Sequence, residues 1–412
     1  MNIIDLFSGA GGLTFGFYYD LVNGQFVRRN NRFIFANEYV FQAAQAFSRN
    51  FPDIHMENCD VRNLTEEKIM SLIKDSRLPD GEEVDLIIGG PPCQSFSTVG
   101  QRIYNDNAKL YKQYLRILNI VRPKMFLFEN VKGMLSMREI FYEKEENGEI
   151  KYRILKNLET GKESKRPIIA GYGKKIIQKI KNEFANIENG FGYKISDRIL
   201  NAVDYGVPEN RERVFLIGIR NDINMDFDWE ITPEQPLTIE EAISDLPELT
   251  EGQSVNSYTK PANNAYQRLM RGANTELTQH FCGQYGDKIR TVIANVKQGQ
   301  AKDDFNALVD SGEIRSDYRL TSGYHNTYGR LVSNQPSTTI TNNMCTPSGL
   351  RCIHYSQNRA LSPREGARIQ SFPDWFEFFG TRTDVTKQIG NAVPPLLSIK
   401  IANKIKHLME KL

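Results

Sequence analysis

Five apolar runs, each bounded by polar residues, glycine or proline, punctuate the first 220 residues: NIIDLF (2 to 7), RFIFANE (32 to 38), VDLIIGG (84 to 90), KMFLFEN (124 to 130) and RVFLIGI (213 to 219). Between them lie stretches of helical spacing, such as 40 to 50 and 109 to 121, long enough for crossover connections. The alternation predicts an α/β fold, a doubly wound and mostly parallel sheet with helices on both faces. Ligands of such sheets sit beyond the carboxyl ends of the strands, where Gly9 to Gly12, Glu38, Cys93 and Glu129 all fall. After residue 220 the pattern changes. Residues 221 to 357 are rich in Asn, Gln, Thr, Ser and Gly, with only short strand candidates such as STTITNN, which predicts a second, smaller, irregular domain. The C-terminal NAVPPLLSIKIANKIKHLMEKL is amphipathic and helical, fit to return to the first sheet. Residues 136 to 172, charged and without clear periodicity, read as a surface insertion.

At 412 residues the chain is long enough for two domains, and 40% hydrophobic with 25% charged residues is ordinary for a soluble protein. The N-terminus enters a strand directly, so no targeting segment is expected, and no run approaches the ~18 apolar residues of a membrane span. The five cysteines are scattered and form no CxxC pair, so neither a metal site nor a disulfide frame is expected, and a reducing, cytoplasmic setting follows. Net charge is +2, but residues 151 to 182 hold ten Lys or Arg against two Glu, and 222 to 251 hold ten acids and no base. Two readings stand for these stretches: solvated surface, or a basic patch facing DNA.

DLFSGAGG places a glycine-rich turn between the first strand and a helix, where backbone N–H groups favour an anionic ligand group. Glu38, ending the second strand, is the kind of carboxylate that accepts hydrogen bonds from ribose hydroxyls. Asp60 and Val61 follow the next short apolar stretch. Together these residues point to an adenosine-containing cofactor, with no P-loop lysine for a triphosphate. Cys93 is harder to place, because a lone cysteine is usually a small buried hydrophobe. Its context argues otherwise: Pro91 and Pro92 fix its backbone direction, Glu129 ends the neighbouring strand where an apolar residue would be the default, and Arg211 and Arg213 flank the next. Nearby guanidinium groups would lower a thiol pKa and favour the thiolate. For Glu129 and the arginines alone, a structural ion pair explains the pattern as well as catalysis does.

DLFSGAGG, GGPPCQSFS, ENV, NRERVFLIGIR, RALSPREGARIQSFPDW and QIGNAVPPLL stand in the order and spacing of the DNA (cytosine-5) methyltransferases of prokaryotic restriction-modification type, which the chain resembles over almost its whole length. The resemblance implies the Rossmann-like fold of S-adenosylmethionine-dependent methyltransferases. It divides the chain into a catalytic and cofactor-binding domain (1–220), a target-recognition domain (221–357), a hinge (358–385) and a C-terminal helix returning to the catalytic domain (386–412). It implies S-adenosyl-L-methionine as methyl donor, with S-adenosyl-L-homocysteine as product, and a cytosine in double-stranded DNA as acceptor. Cys93 would attack C6 of a flipped base, Glu129 would protonate or hydrogen-bond N3, Arg213 would steady O2, and Arg211 would lie nearer the thiolate and backbone. The cofactor would meet Phe7 at the adenine, Ala10 and Gly12 at the methionine part, Glu38 at the ribose, and Asp60 with Val61 at the adenine edge, with Tyr39 among the cofactor-binding residues. Pro92, Leu110, Asn391, Ala392 and Val393 would line and close the site. Gln94, Ser97 and Arg102 would face DNA from the thiol loop, and Thr339 would lie near the DNA backbone. Arg359, Arg364 and Arg368 are expected to hold the hinge rather than read bases.

Two departures from the family pattern stand out. Glu209 occupies a position usually held by Gln, and the thiol loop has Asn107 in the approximate place of an arginine, leaving loop closure to Arg102 or Lys109. Two other functions compete: a tRNA cytosine-5 methyltransferase, whose Cys-Phe-Thr signature HFCGQYGD does not match, and a catalytically silent DNA-binding regulator, against which the intact Cys93, Glu129, Arg211 and Arg213 argue. A nicotinamide dehydrogenase would leave the thiol loop and second domain without a role. The chain is expected to act as a monomer, nucleoid-associated when on DNA, alongside a restriction endonuclease that reads the same site without forming a stable complex.

Overall fold

A computed structural model describes residues 1–79, 81–92, 110–156, 161, 163–187 and 191–412. Its centre is a seven-stranded sheet. In chain order the strands are β1 (Asn2–Leu6), β2 (Arg32–Asn37), β3 (Met56–Glu57), β4 (Leu86–Gly89), β5 (Met125–Val131), β6 (Tyr193–Asn201) and β7 (Glu212–Arg220), and in space they run β3-β2-β1-β4-β5-β7-β6. All pairings from β3 to β5 are parallel, and β7 is antiparallel to both of its neighbours. Helices α1 (Gly12–Tyr18), α2 (Phe41–Asn50), α3 (Glu66–Asp75), α4 (Tyr111–Val121) and α5 (Ile176–Ala185) supply the crossovers.

Alternate residues of the central strands enter two separate cores. Ile3, Ile88, Leu127 and Ile217 belong to one, Ile4, Ile87, Phe126 and Leu216 to the other. Burial on both faces is why these strands read as continuous apolar runs. The two strands without such a run, β3 and β6, escape a reading based on hydrophobic pattern. The first is two residues long, and the second is an edge strand with most of its side chains at least partly in solvent.

Residues 221–357 carry α6 (Ile239–Ile243), α7 (Ala265–Arg271), α8 (Asp287–Asn295) and α9 (Lys302–Asp310), with a small core of Val292, Val296, Phe305, Val309 and Leu320. The expected strand at STTITNN is not one. Ser337 makes a single parallel bridge with Glu209, and the segment is an extended tether rather than part of a ladder. The insertion read from sequence as aperiodic over 136 to 172 falls largely within two antiparallel ribbons, Arg138–Tyr142 with Ile169–Lys175 and Tyr152–Lys156 with Glu163–Pro167. Neither face of the second ribbon is buried, so no hydrophobic alternation marks it.

The chain ends in α10 (Pro363–Ile369), α11 (Arg382–Asn391) and α12 (Pro395–Met409). Around α10, Arg359 grips Glu365 through two bonds of 2.7 and 2.6 Å, Arg364 donates to the carbonyls of Thr278, Pro373 and Phe376, and Arg368 pairs with Asp245 and Asp374. All three guanidinium groups are buried, so they join chain segments rather than reach outward. Helix α12 lies against α1. The Gly16 N–H donates to Ser398 Oγ (3.2 Å), and a Cβ on Gly16 would come within 2.2 Å of the Ser398 backbone.

Candidate active site

The first side of the site is the turn between β1 and α1. Phe7 (φ 58°), Gly9 (φ 57°) and Gly11 (φ 98°) adopt left-handed backbone, which reverses the chain within a few residues and which glycine tolerates best. Nothing lies within 4 Å of where a Gly9 Cβ would be, whereas a Cβ on Gly12 would strike the Val393 carbonyl at 2.4 Å and the Ala392 methyl at 2.9 Å. That close approach brings the C-terminal segment, with Asn391 exposed, onto the turn. Glu38 completes this side. Its carboxylate accepts from the Gly9 N–H (2.9 Å) and the Val40 N–H (2.7 Å), fixing it at the carboxyl edge of β2. Burial raises its pKa, and the two N–H bonds partly offset the rise.

The other expected cofactor residues differ in availability. Val61 is buried and Leu110 half-buried, while Pro92 is exposed. Asp60 caps a short turn and is held by Arg62, whose backbone and side chain both bond the carboxylate and lower its pKa. Tyr39 is 71% exposed, so its side chain projects into solvent. The open space at Gly9, the oriented Glu38 carboxylate and the turn with its N–H groups suit an adenosyl ligand bearing an amino-acid tail.

The second side is built by register. Phe215 pairs with Glu129 and Arg213 with Val131, so Arg213 and Glu129 share one face as diagonal neighbours. Arg213 Nε lies 3.2 Å from Glu129 Oε1, with the side chains 11% and 12% exposed. Burial raises the Glu129 pKa, opposed by the charges of Arg213 and Arg211. A Cβ on Gly90 would sit 2.6 Å from Glu129 Oε2, so only glycine leaves room for the carboxylate there. Asn130 ties the same strand to the segment before the thiol, donating from Nδ2 to the Pro91 carbonyl (3.3 Å). Cys93, Gln94, Ser97, Arg102, Asn107 and Lys109 lie outside the described residues.

Arg211 departs from the expectation that grouped it with the reacting residues. It is fully buried, and its terminal nitrogens donate to the carbonyls of Ile340 (3.0 Å), Gly390 (2.6 Å) and Ala392 (2.8 Å). Those bonds make it a brace joining the start of β7 to the segment at Ile340 and to the end of α11. Glu209 shares the brace. Its Oε1 accepts from the Ile340 N–H (2.5 Å) and lies 3.4 Å from Arg211, while Oε2 has no partner among the described residues. The replacement of the usual Gln by an acid therefore falls on a buried joint, and burial raises this carboxyl's pKa against the pull of Arg211. Thr339 donates to the Asn210 carbonyl (2.7 Å) across the same joint.

Two residues of the site carry no role in a reading of the sequence alone. Asn130 stands inside ENV beside the more conspicuous Glu129. Asp5, within the apolar run of β1, is fully buried, accepts from the Thr14 hydroxyl, and has one oxygen without a partner among the described residues. Its pKa is pushed up to about 8 by burial, moderated by Thr14 and reinforced by Glu38. A charged residue in an expected core strand is the signal that could have found it. A separate cleft of about 770 Å³ lies at the opposite, amino edge of the sheet, lined by Met1, Lys124 and Arg220 among others. There Lys124 pairs with Asp85, and Arg220 with Glu83 and Asp222, which leaves that cleft outside the chemistry at the carboxyl edge. Among the described residues no cluster could hold a metal ion.

A family model described as C-5 cytosine-specific DNA methylase matches residues 1–160 and 168–407. The Type II methyltransferase M.DdeI of Desulfomicrobium norvegicum is 33% identical over 430 residues, covering 100% of this chain and 90% of that protein. The Type II methyltransferase M.NgoFVII of Neisseria gonorrhoeae is 30% identical over 98% of this chain and 86% of its own. Among solved structures, a putative DNA modification methyltransferase encoded within an E. coli prophage superposes with a TM-score of 0.67 at 24% identity, covering 100% of this chain and 99% of the other.

Proposed function

The chain belongs to the C-5 cytosine-specific DNA methylase family, and from that premise we propose that it methylates C5 of a cytosine within a specific double-stranded DNA sequence, using S-adenosyl-L-methionine, a flipped target base and Cys93 as nucleophile. The observation that carries the mechanism is the Glu129–Arg213 pair, set beside Gly90 at the strand end that leads into Cys93. Attack of the thiolate on C6 forms the S–C6 bond and pushes electron density through the ring. Glu129, whose pKa burial raises against the pull of Arg213 and Arg211, is placed to donate to N3, and Arg213 stabilises charge on O2. C5 thereby becomes nucleophilic, and after its methylation loss of the C5 proton expels the thiolate. Bound S-adenosyl-L-methionine supplies an electrophilic methyl group. The turn at Ala10 and Gly12, Phe7, Glu38 and the 391–393 segment would hold it. Arg211 acts through the backbone it braces. Flipping costs a few kcal/mol of lost stacking and pairing, drawn from binding elsewhere on the duplex.

We assign residues 1–220 to catalysis and cofactor binding, and residues 221–357, with Thr339, to DNA recognition. The names of the relatives support a restriction-modification setting. In that setting we take the cognate nuclease to act separately and the methyltransferase to work as a monomer. Among the described residues no helix is long and apolar enough to cross a membrane. The decisive experiment compares wild type and Cys93→Ser. The variant should retain duplex binding and lose methylation, and wild type should form a covalent adduct with 5-fluorocytosine DNA. Undiminished methyl transfer by Cys93→Ser would refute the mechanism, and transfer to tRNA but not to duplex DNA would refute the acceptor.

A further inference from the structure

The basic stretch noted in the sequence acquires a shape. Strand β5 ends at Val131, a short turn covers Lys132–Leu135, and the arm of ribbons begins at Arg138, so it springs from the same carboxyl edge as Glu129. In its second ribbon Arg153 stands directly opposite Arg166, and Lys165 opposite Ile154. Like charges opposite one another weaken an antiparallel pair. Both arginines are exposed, and among the described residues neither has an acid at ion-pair distance, whereas Lys151 pairs with Glu143 at 3.9 Å. The other face of the ribbon carries two cations and one acid, with Glu163 opposite Lys156 and Lys165 opposite Ile154, beside Tyr152; Tyr152 and Ile154 are 52% and 61% exposed.

A ribbon with cations on both faces suits a partner that is anionic on both sides. The DNA major groove, about 12 Å wide and walled by phosphates, admits a two-stranded ribbon. A protein docked on one face would leave the cations of the other without counter-charge. We propose that the ribbon of Tyr152–Lys156 and Glu163–Pro167 is a second DNA-contact element, entering the major groove beside the target site, with Arg153, Lys165 and Arg166 against phosphates and Ile154 against apolar base edges. It rests on the DNA methyltransferase reading and adds affinity from outside the recognition domain, the phosphate contacts being independent of sequence.

The test is the triple variant Arg153→Ser/Lys165→Ser/Arg166→Ser, three exposed positions, with unchanged urea midpoint and S-adenosylhomocysteine affinity as controls of folding. Binding is measured on a mixed-sequence duplex of about three helical turns, roughly 30 bp, across a salt series, and turnover on unmethylated plasmid DNA. The slope of log K against log salt should fall by about 2 to 3, close to 0.9 for each phosphate that the variant no longer neutralises. The KM for plasmid should rise while kcat holds. An unchanged slope and KM would overturn the proposal, as would altered self-association in sedimentation with DNA binding intact. Because binding is read apart from turnover, a wild type that binds DNA but does not methylate it would count against the proposed reaction and not against the ribbon.

Discussion

Replacing Asp5 by Asn tests the electrostatics beneath the cofactor turn. Asp5 is fully buried in β1, with one oxygen bonded by Thr14 and the other without a partner among the described residues, and its pKa is pushed up to about 8. In the unfolded chain an aspartate titrates near 3.9. Between those values the folded protein holds a proton that the unfolded chain has released, so the associated stability is fully present below about pH 4. It is lost as pH rises through about 8. One proton corresponds to a slope of roughly 1.4 kcal/mol per pH unit, hence about 3 kcal/mol between pH 5 and pH 7. Urea unfolding of the cofactor-free protein at pH 5, 6, 7 and 8 reads this directly. Glu38, Glu129 and Glu209 also have raised pKa values and contribute slopes of the same sign, so the informative quantity is the difference between wild type and variant. Asn keeps an acceptor for Thr14 but cannot titrate, and its profile should be flatter by close to one proton. Equal pH slopes in the two proteins would refute the assignment of a bound proton to Asp5.

Gly90→Ala should slow turnover by about 10- to 100-fold, because a Cβ 2.6 Å from Glu129 Oε2 displaces the carboxylate and small misplacements are costly. Cofactor affinity should hold, and an unchanged kcat would show that the carboxylate's position is not critical. Arg211→Met should cost roughly 3 to 5 kcal/mol in urea unfolding, since it strands three buried carbonyls and leaves Glu209 without its cation. Adding Glu209→Gln should recover part of that loss, and strict additivity of the two changes would rule out their coupling.

The central strands and the glycine turn were legible because each follows from local rules. Continuous apolar runs mark strands covered on both faces, and glycine followed by a helical pattern marks a turn at a strand's end. Where a strand was short or lay at the sheet edge, as in β3 and β6, no hydrophobic pattern recorded it. The tether at STTITNN misled for the complementary reason: β-branched residues favour extended backbone, but only a neighbouring strand makes a ladder, and here Ser337 finds one bridge.

Residue type and order alone determined the fold class, the motif set and the candidates Cys93, Glu38, Glu129 and Arg213. Arg211 and Arg213 stand two residues apart, just before and just inside β7, and in sequence both were expected beside the thiolate or the base. Tertiary packing separated them, because the Arg213 side chain reaches Glu129 across the pair β5–β7, while Arg211 is enclosed by carbonyls from residues 340, 390 and 392. The same holds for Asp5 under its turn and for Arg153 opposite Arg166. Burial and cross-strand register arise only when distant segments meet, and they set the charge state and partner of a side chain that its own neighbours in sequence leave open.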